Sequence, residues 1–111
     1  MIQQFEKIRH SVIFSLKHPQ GSEGEKLFFT AANKLSSIPG VENFECLRQV
    51  SKKNKFTYGI SMEFAKWGFY EKYNNHPDHV AFIEEYWMRD VDEFLEIDFQ
   101  MDPHLNKSNE E

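Results

Sequence analysis

The sequence predicts an α+β layer sandwich, a single sheet with its helices on one side. Three observations carry that prediction. Residues 8–17 and 56–64 alternate apolar and polar side chains, a capped amphipathic helix follows the first of them, and a proline-headed helix precedes a last alternating run. At 111 residues the chain is long enough for one core and too short for two. Residues 1–111 are therefore read as one domain, with a polar tail from about residue 103.

In the first strand, 8–17, Ile8, His10, Val12, Phe14 and Leu16 share one face. Arg9, Ser11, Ser15 and Lys17 share the other with Ile13, the pattern of a half-buried strand. His18-Pro19-Gln20-Gly21 ends it. Ser22 then stands three residues before Glu25, the spacing at which a hydroxyl and a carboxylate cap each other's backbone donors. Leu27, Phe28, Ala31, Ala32 and Leu35 form one helical stripe, and Ile38-Pro39-Gly40-Val41 stops the helix.

Two strands follow, about 41–50 and 56–64, around a turn of Lys52, Lys53, Asn54 and Lys55. Phe56, Tyr58, Ile60, Met62 and Phe64 define the apolar face of the second. A short helix over about 66–74 carries Trp67, Tyr70 and Tyr73, although Gly68 weakens it. Asn74-Asn75-His76 breaks the chain, and Pro77 suits the first position of a new helix, where its missing N–H is not needed. His79, Val80, Phe82, Ile83, Tyr86 and Trp87 then share a broad buried face. A last strand, about 94–101, has Leu95, Ile97, Phe99 and Met101 in register, and residues 102–111 read as a frayed polar end. The order is β-α-β-β-α-α-β, a ferredoxin-like sandwich.

The formal charge of −5 argues against a nucleic-acid or anionic-membrane partner, since either needs a basic stripe. The lone Cys46 cannot close an intramolecular disulfide, which fits a reducing compartment. No run approaches the ~20 apolar residues of a membrane span, and the start MIQQFEKIRH lacks a secretory apolar stretch, so a cytoplasmic protein is expected. Aromatics are 15% of the chain, and eleven of them are Phe, a surplus that calls for a pocket lining or a partner interface beyond the core.

Apolar strand faces must meet the helices, and His10 lies on such a face. His79 begins the buried side of the last helix, and Tyr73 comes from the helix before it. Three groups able to give or take protons are thus expected in one apolar layer.

The segments IRHSVIFSLK, SIPGV and YNNHPDHVAF together resemble the stress-responsive dimeric A/B-barrel (Dabb) family, over about residues 8–101. The resemblance implies a homodimer in which two ferredoxin-like subunits close their sheets into a barrel. The second sheet face here, with Ser11, Ser15, Thr57, Gly59 and Ser61, reads as small and polar, so the partner rests on the resemblance with the aromatic surplus as support. Similarity to the family's plant polyketide cyclases implies an aldol-type proton transfer, with Tyr73 and His79 as the catalytic pair and His10 and His76 at the other histidine positions. An imidazole with an ordinary pKa of ~6.5 can take a proton from carbon between two carbonyls while a phenol holds the enolate oxygen. The expected partner is a small, largely apolar, carbonyl-bearing molecule, and no cofactor is required.

Each residue has a structural alternative. His79 can pack beneath its helix and bond a carbonyl, His10 can be a satisfied buried polar group, and Tyr73 can be core. For His76, closing the helix start through a ring nitrogen is preferred over catalysis. His76 and His79 as a metal pair lack a third ligand at a recognisable spacing, Asp78 is expected to point away from them, and no metal is expected; haem ranks last. The rival function is a non-enzymatic stress or assembly protein whose histidines are structural.

Overall fold

The computed structural model describes residues 7–106. The elements are β1 (Ile8–Leu16), α1 (Glu23–Asn33), β2 (Glu42–Arg48), β3 (Tyr58–Phe64), α2 (Trp67–Asn75), α3 (Pro77–Phe82) and β4 (Val91–Gln100). The order β2-β3-β1-β4 is antiparallel throughout. Alternation places Val12, Phe14, Tyr58, Ile60 and Met62 on one face, where they join Phe28 and Ala32 of α1, Tyr70 and Tyr73 of α2 and Phe82 of α3 in one core. Phe14 and Phe28 are fully buried with ring centroids 5.6 Å apart. Burial of each such side chain contributes about 1.5–3 kcal/mol.

Ser22 caps α1 as its spacing predicts, its hydroxyl accepting from the Glu25 N–H. The reciprocal bond lands one residue earlier than in the usual motif, because Glu25 accepts from the Gly21 N–H at 2.8 Å. Its other oxygen accepts from the Tyr58 hydroxyl at 2.6 Å, tying α1 to β3. The predicted stripe is narrower than expected, with Leu27 54% exposed while Phe28, Ala32 and Leu35 are buried. Gly40 turns the chain at φ +93°, a conformation that disfavours a side chain, and a Cβ there would lie 3.1 Å from that of Phe69.

After α3 the helix widens into a π turn, Ile83–Trp87, and closes with one α turn, Met88–Asp90. The wider turn explains the broad apolar run. It stacks Phe82 on Tyr86 and brings Trp87 against Phe14, whereas Val80 remains exposed. The tail expectation is corrected in part, since Pro103–Asn106 forms a 3₁₀ turn whose His104 N–H is held by Asp102. The rest of that tail, 107–111, lies outside the described residues.

The largest correction concerns β4. His10 pairs with Asp98, Val12 with Glu96 and Phe14 with Phe94, so these β4 residues face the helices. Leu95, Ile97 and Phe99 lie opposite Ile13, Ser11 and Arg9 on the other face, and are 50%, 38% and 53% exposed. The apolar row of the last strand therefore does not join the helix-side core. The second sheet face is not uniformly small and polar.

The Tyr58 and Gly21 bonds hold the Glu25 carboxyl below its ordinary 4.5 against the opposing effect of burial. A carboxylate with a lowered folded-state pKa stabilises fully above its unfolded value, and loses that contribution as pH falls through the folded one. Glu25→Gln should therefore reduce stability at pH 7 by about 1–3 kcal/mol. Urea unfolding should show this gap from the wild type shrinking below pH 4.5.

Candidate functional site

His10 projects from β1 toward the helices and is 5% exposed. Its Nδ1 lies 2.6 Å from Asp98 Oδ1, and a carboxylate can only accept, so Nδ1 carries the proton. The Tyr70 hydroxyl donates to the other Asp98 oxygen at 2.8 Å and sits 3.1 Å from Nδ1. Asp98 thus fixes the imidazole and Tyr70 fixes Asp98. On the far edge of the ring, Nε2 stands 3.8 Å from Glu96 Oε2.

Tyr73 is 2% exposed, with its ring 6.3 Å from His10 and 4.4 Å from His79. Its hydroxyl has no hydrogen-bond partner among the described residues, yet it is not an enclosed orphan. Tyr73 lines a cavity of about 430 Å³ with His10, Asn74, His79 and Glu96 at the other polar positions, and otherwise with apolar side chains such as Ile60 and Trp87. That volume falls within the ~300–1,000 Å³ of small-molecule sites. Burial and the Glu96 charge raise the Tyr73 pKa strongly, so the phenol stays a donor at neutral pH.

His79 is the third residue of α3. Its Nδ1 lies 3.1 Å from the Asn74 carbonyl oxygen, which can only accept. The neutral ring therefore carries its proton on Nδ1 and a free lone pair on Nε2. Burial pulls its pKa below 6.5; the Asn74 bond opposes this, and the His10 charge adds to the lowering. At neutral pH His79 is a base with an open nitrogen, and Tyr73 beside it is an acid with an open hydrogen.

The sequence-predicted residues divide accordingly. His10, Tyr73 and His79 meet at one cavity. His76 does not line it; its Nδ1 accepts from the Asp78 N–H at 3.1 Å and caps α3. The Asp78 carboxylate lies 3.9 Å from the same nitrogen, not turned away as the helical spacing suggests, because His76 is the cap and stands outside the helix proper. Sequence reasoning missed Asp98, Glu96 and Tyr70. Phe94, Glu96, Asp98 and Gln100 alternate as cleanly as Leu95, Ile97 and Phe99, and only the pairing with β1 tells which row faces the helices.

Among the described residues, His10, Glu96 and Asp98 form the one group whose ligating atoms all lie within 4.8 Å of one another. His10 meets Asp98 through Nδ1 and Glu96 through Nε2. The two carboxylates thus make their shortest contacts to different nitrogens of the ring. Cys46 is no nucleophile here, because burial pushes its thiol up to about 11.

A model of the stress responsive A/B barrel domain (Dabb) family matches residues 8–101. The chain belongs to that family. A crystal structure of a Dabb protein with a ferredoxin-like fold from Mesorhizobium loti is 52% identical, with a TM-score of 0.83, and the match covers 85% of this chain and 95% of that one. A dimeric ferredoxin-like protein of unknown function from Thermobifida fusca matches at TM-score 0.73 and 18% identity, covering 91% of this chain and 96% of the other. The hydroxynitrile lyase of Passiflora edulis matches at TM-score 0.77 and 14% identity, covering 87% and 94%. The last two share the fold. Among curated proteins none matches the chain. No helix of the described residues is long and apolar enough to cross a membrane.

Nitrogen-15 spectra of labelled protein should place the neutral-state proton of His79 on Nδ1, with a midpoint below 6.5. In His10→Gln that midpoint should rise, because the His10 charge that lowers it is gone. A midpoint unmoved by the substitution would mean that the two rings do not sense each other.

Proposed function

We propose that this Dabb-family protein binds a small, largely apolar, carbonyl-bearing molecule in the cavity, and that His79 and Tyr73 carry out proton transfer on it. One observation carries the reading: Tyr73, whose hydroxyl has no partner among the described residues, and His79, whose Nδ1 proton is fixed by the Asn74 carbonyl, line one cavity with their rings 4.4 Å apart.

In the aldol direction, His79 Nε2 takes the proton from carbon next to a carbonyl while Tyr73 donates a hydrogen bond to the enolate oxygen. The carbanion attacks a second carbonyl, one C–C bond forms, and the His79 proton passes to the resulting alkoxide. The lyase direction runs in reverse, with the base taking a hydroxyl proton as the C–C bond breaks. The Passiflora neighbour, a hydroxynitrile lyase, lends this direction support at the level of fold. His10, held by Asp98, lies within reach of the same oxygen and serves as a second donor or acceptor.

The readout is deuterium exchange next to the carbonyl of a medium-chain β-keto ester, followed by NMR. His79→Ala should fold normally and lose exchange by ~10²–10⁴-fold. Tyr73→Phe should lose ~10²–10³-fold. The wild-type rate should fall as pH drops through the lowered His79 value, below 6.5, because the base is then protonated. Unchanged exchange in His79→Ala would reject the catalytic role.

The same reading includes a homodimer closed through the second sheet face. It is supported by the exposed row of Leu95, Ile97 and Phe99 and by the dimeric Thermobifida relative. Ile97→Lys should convert a species of twice the chain mass into one of the chain mass in sedimentation. A dimer that survives this change uses another surface.

A further inference from the structure

The cavity has apolar walls and one polar end, and the charge at that end is one-sided. Glu96 lines the cavity and Asp98 stands behind His10, so two carboxylates face a single imidazole. Even with that ring protonated, the cluster retains a net negative charge. No Lys or Arg is among the described residues that line the cavity. Lys7, just before β1, and Arg9 within it pair with Glu63 on the opposite sheet face. Arg89 forks onto Asp90, and Lys55 pairs with Glu93.

We propose that the cavity selects a neutral ketone or aldehyde over a carboxylate of similar length, and that Glu96 sets this preference. The inference rests on the cavity being a ligand site, as argued above, and adds its charge class. Val12, Leu35, Ile60, Met62, Phe82 and Trp87 wrap an alkyl chain, which directs the head group to the polar end. There the open Tyr73 hydroxyl offers a donor that a carbonyl oxygen accepts. A carboxylate head could take the same bond, but it would bring a third negative charge beside Glu96 and Asp98 with no cation to offset it. Like charges a few ångströms apart in a half-enclosed site repel strongly enough to be read as a tenfold or greater loss of affinity. The Glu96 side chain is 52% exposed, so it stands where the cavity meets solvent and meets the head group of an entering ligand.

The test is calorimetric titration of 2-nonanone and octanoate into wild type and Glu96→Gln. The substitution keeps the side-chain shape, and the folded state of the variant is checked by near-ultraviolet circular dichroism. Wild type should bind 2-nonanone at least about tenfold more tightly than octanoate. Glu96→Gln should raise the affinity for octanoate relative to that for 2-nonanone by about tenfold. An affinity ratio identical in both proteins, or a wild type that prefers octanoate, overturns the selectivity while leaving the cavity as a ligand site. If neither ligand binds either protein, the ligand site itself is removed, and the selectivity with it.

Discussion

The register between β1 and β4 governs both faces of this subunit. Side chains on a strand alternate strictly, so shifting a pairing by one residue turns every side chain to the other face. With His10 opposite Asp98, two carboxylates come to the edges of a buried imidazole, and Leu95, Ile97 and Phe99 turn away from the helices. A slip of one residue would bury the leucine, isoleucine and phenylalanine against α2 and α3, and would leave His10 without its anchor. The polar cavity end and the exposed apolar row are therefore two consequences of one alignment. Few other choices in the fold reach so far.

The helices complete the site from the other side. α2 supplies Tyr70 and Tyr73 three positions apart on one face, so Tyr70 reaches the Asp98 side of His10 while Tyr73 reaches His79. Pro77 and the His76 cap start α3 close behind α2, which leaves the Asn74 carbonyl free to accept from His79. The π turn at Ile83–Trp87 then redirects the aromatic side chains, and Phe82, Ile83 and Trp87 become cavity wall. Among the described residues the Tyr73 hydroxyl and His79 Nε2 have no hydrogen-bond partner, and these are the two atoms the proposed chemistry needs open.

Much of the fold is legible along the chain because local rules and burial agree there. The Ser22 cap, the Pro77 start and the alternation read over 56–64 each follow from the residue types in place; the structure has the first two where the spacing puts them and the strand over Tyr58–Phe64. The placement of His10, Tyr73 and His79 in one layer was legible for the same reason, since all three sit on apolar faces. Leu27 departs from its stripe because α1 buries a narrower arc than its composition allows. His76 caps a helix, as its position before proline suggests.

By itself, the sequence determined the main strands and helices, their order and the faces on which His10 and His79 lie, because periodicity and capping act over a few residues and need no knowledge of neighbours. Only the tertiary structure decided which row of β4 meets His10, and so brought Asp98 and Glu96 to the imidazole and Leu95, Ile97 and Phe99 to the open side. Both rows of that strand alternate equally well, and the hydrogen-bond pairing with β1, eighty-eight residues away in the chain at His10 and Asp98, is what distinguishes them.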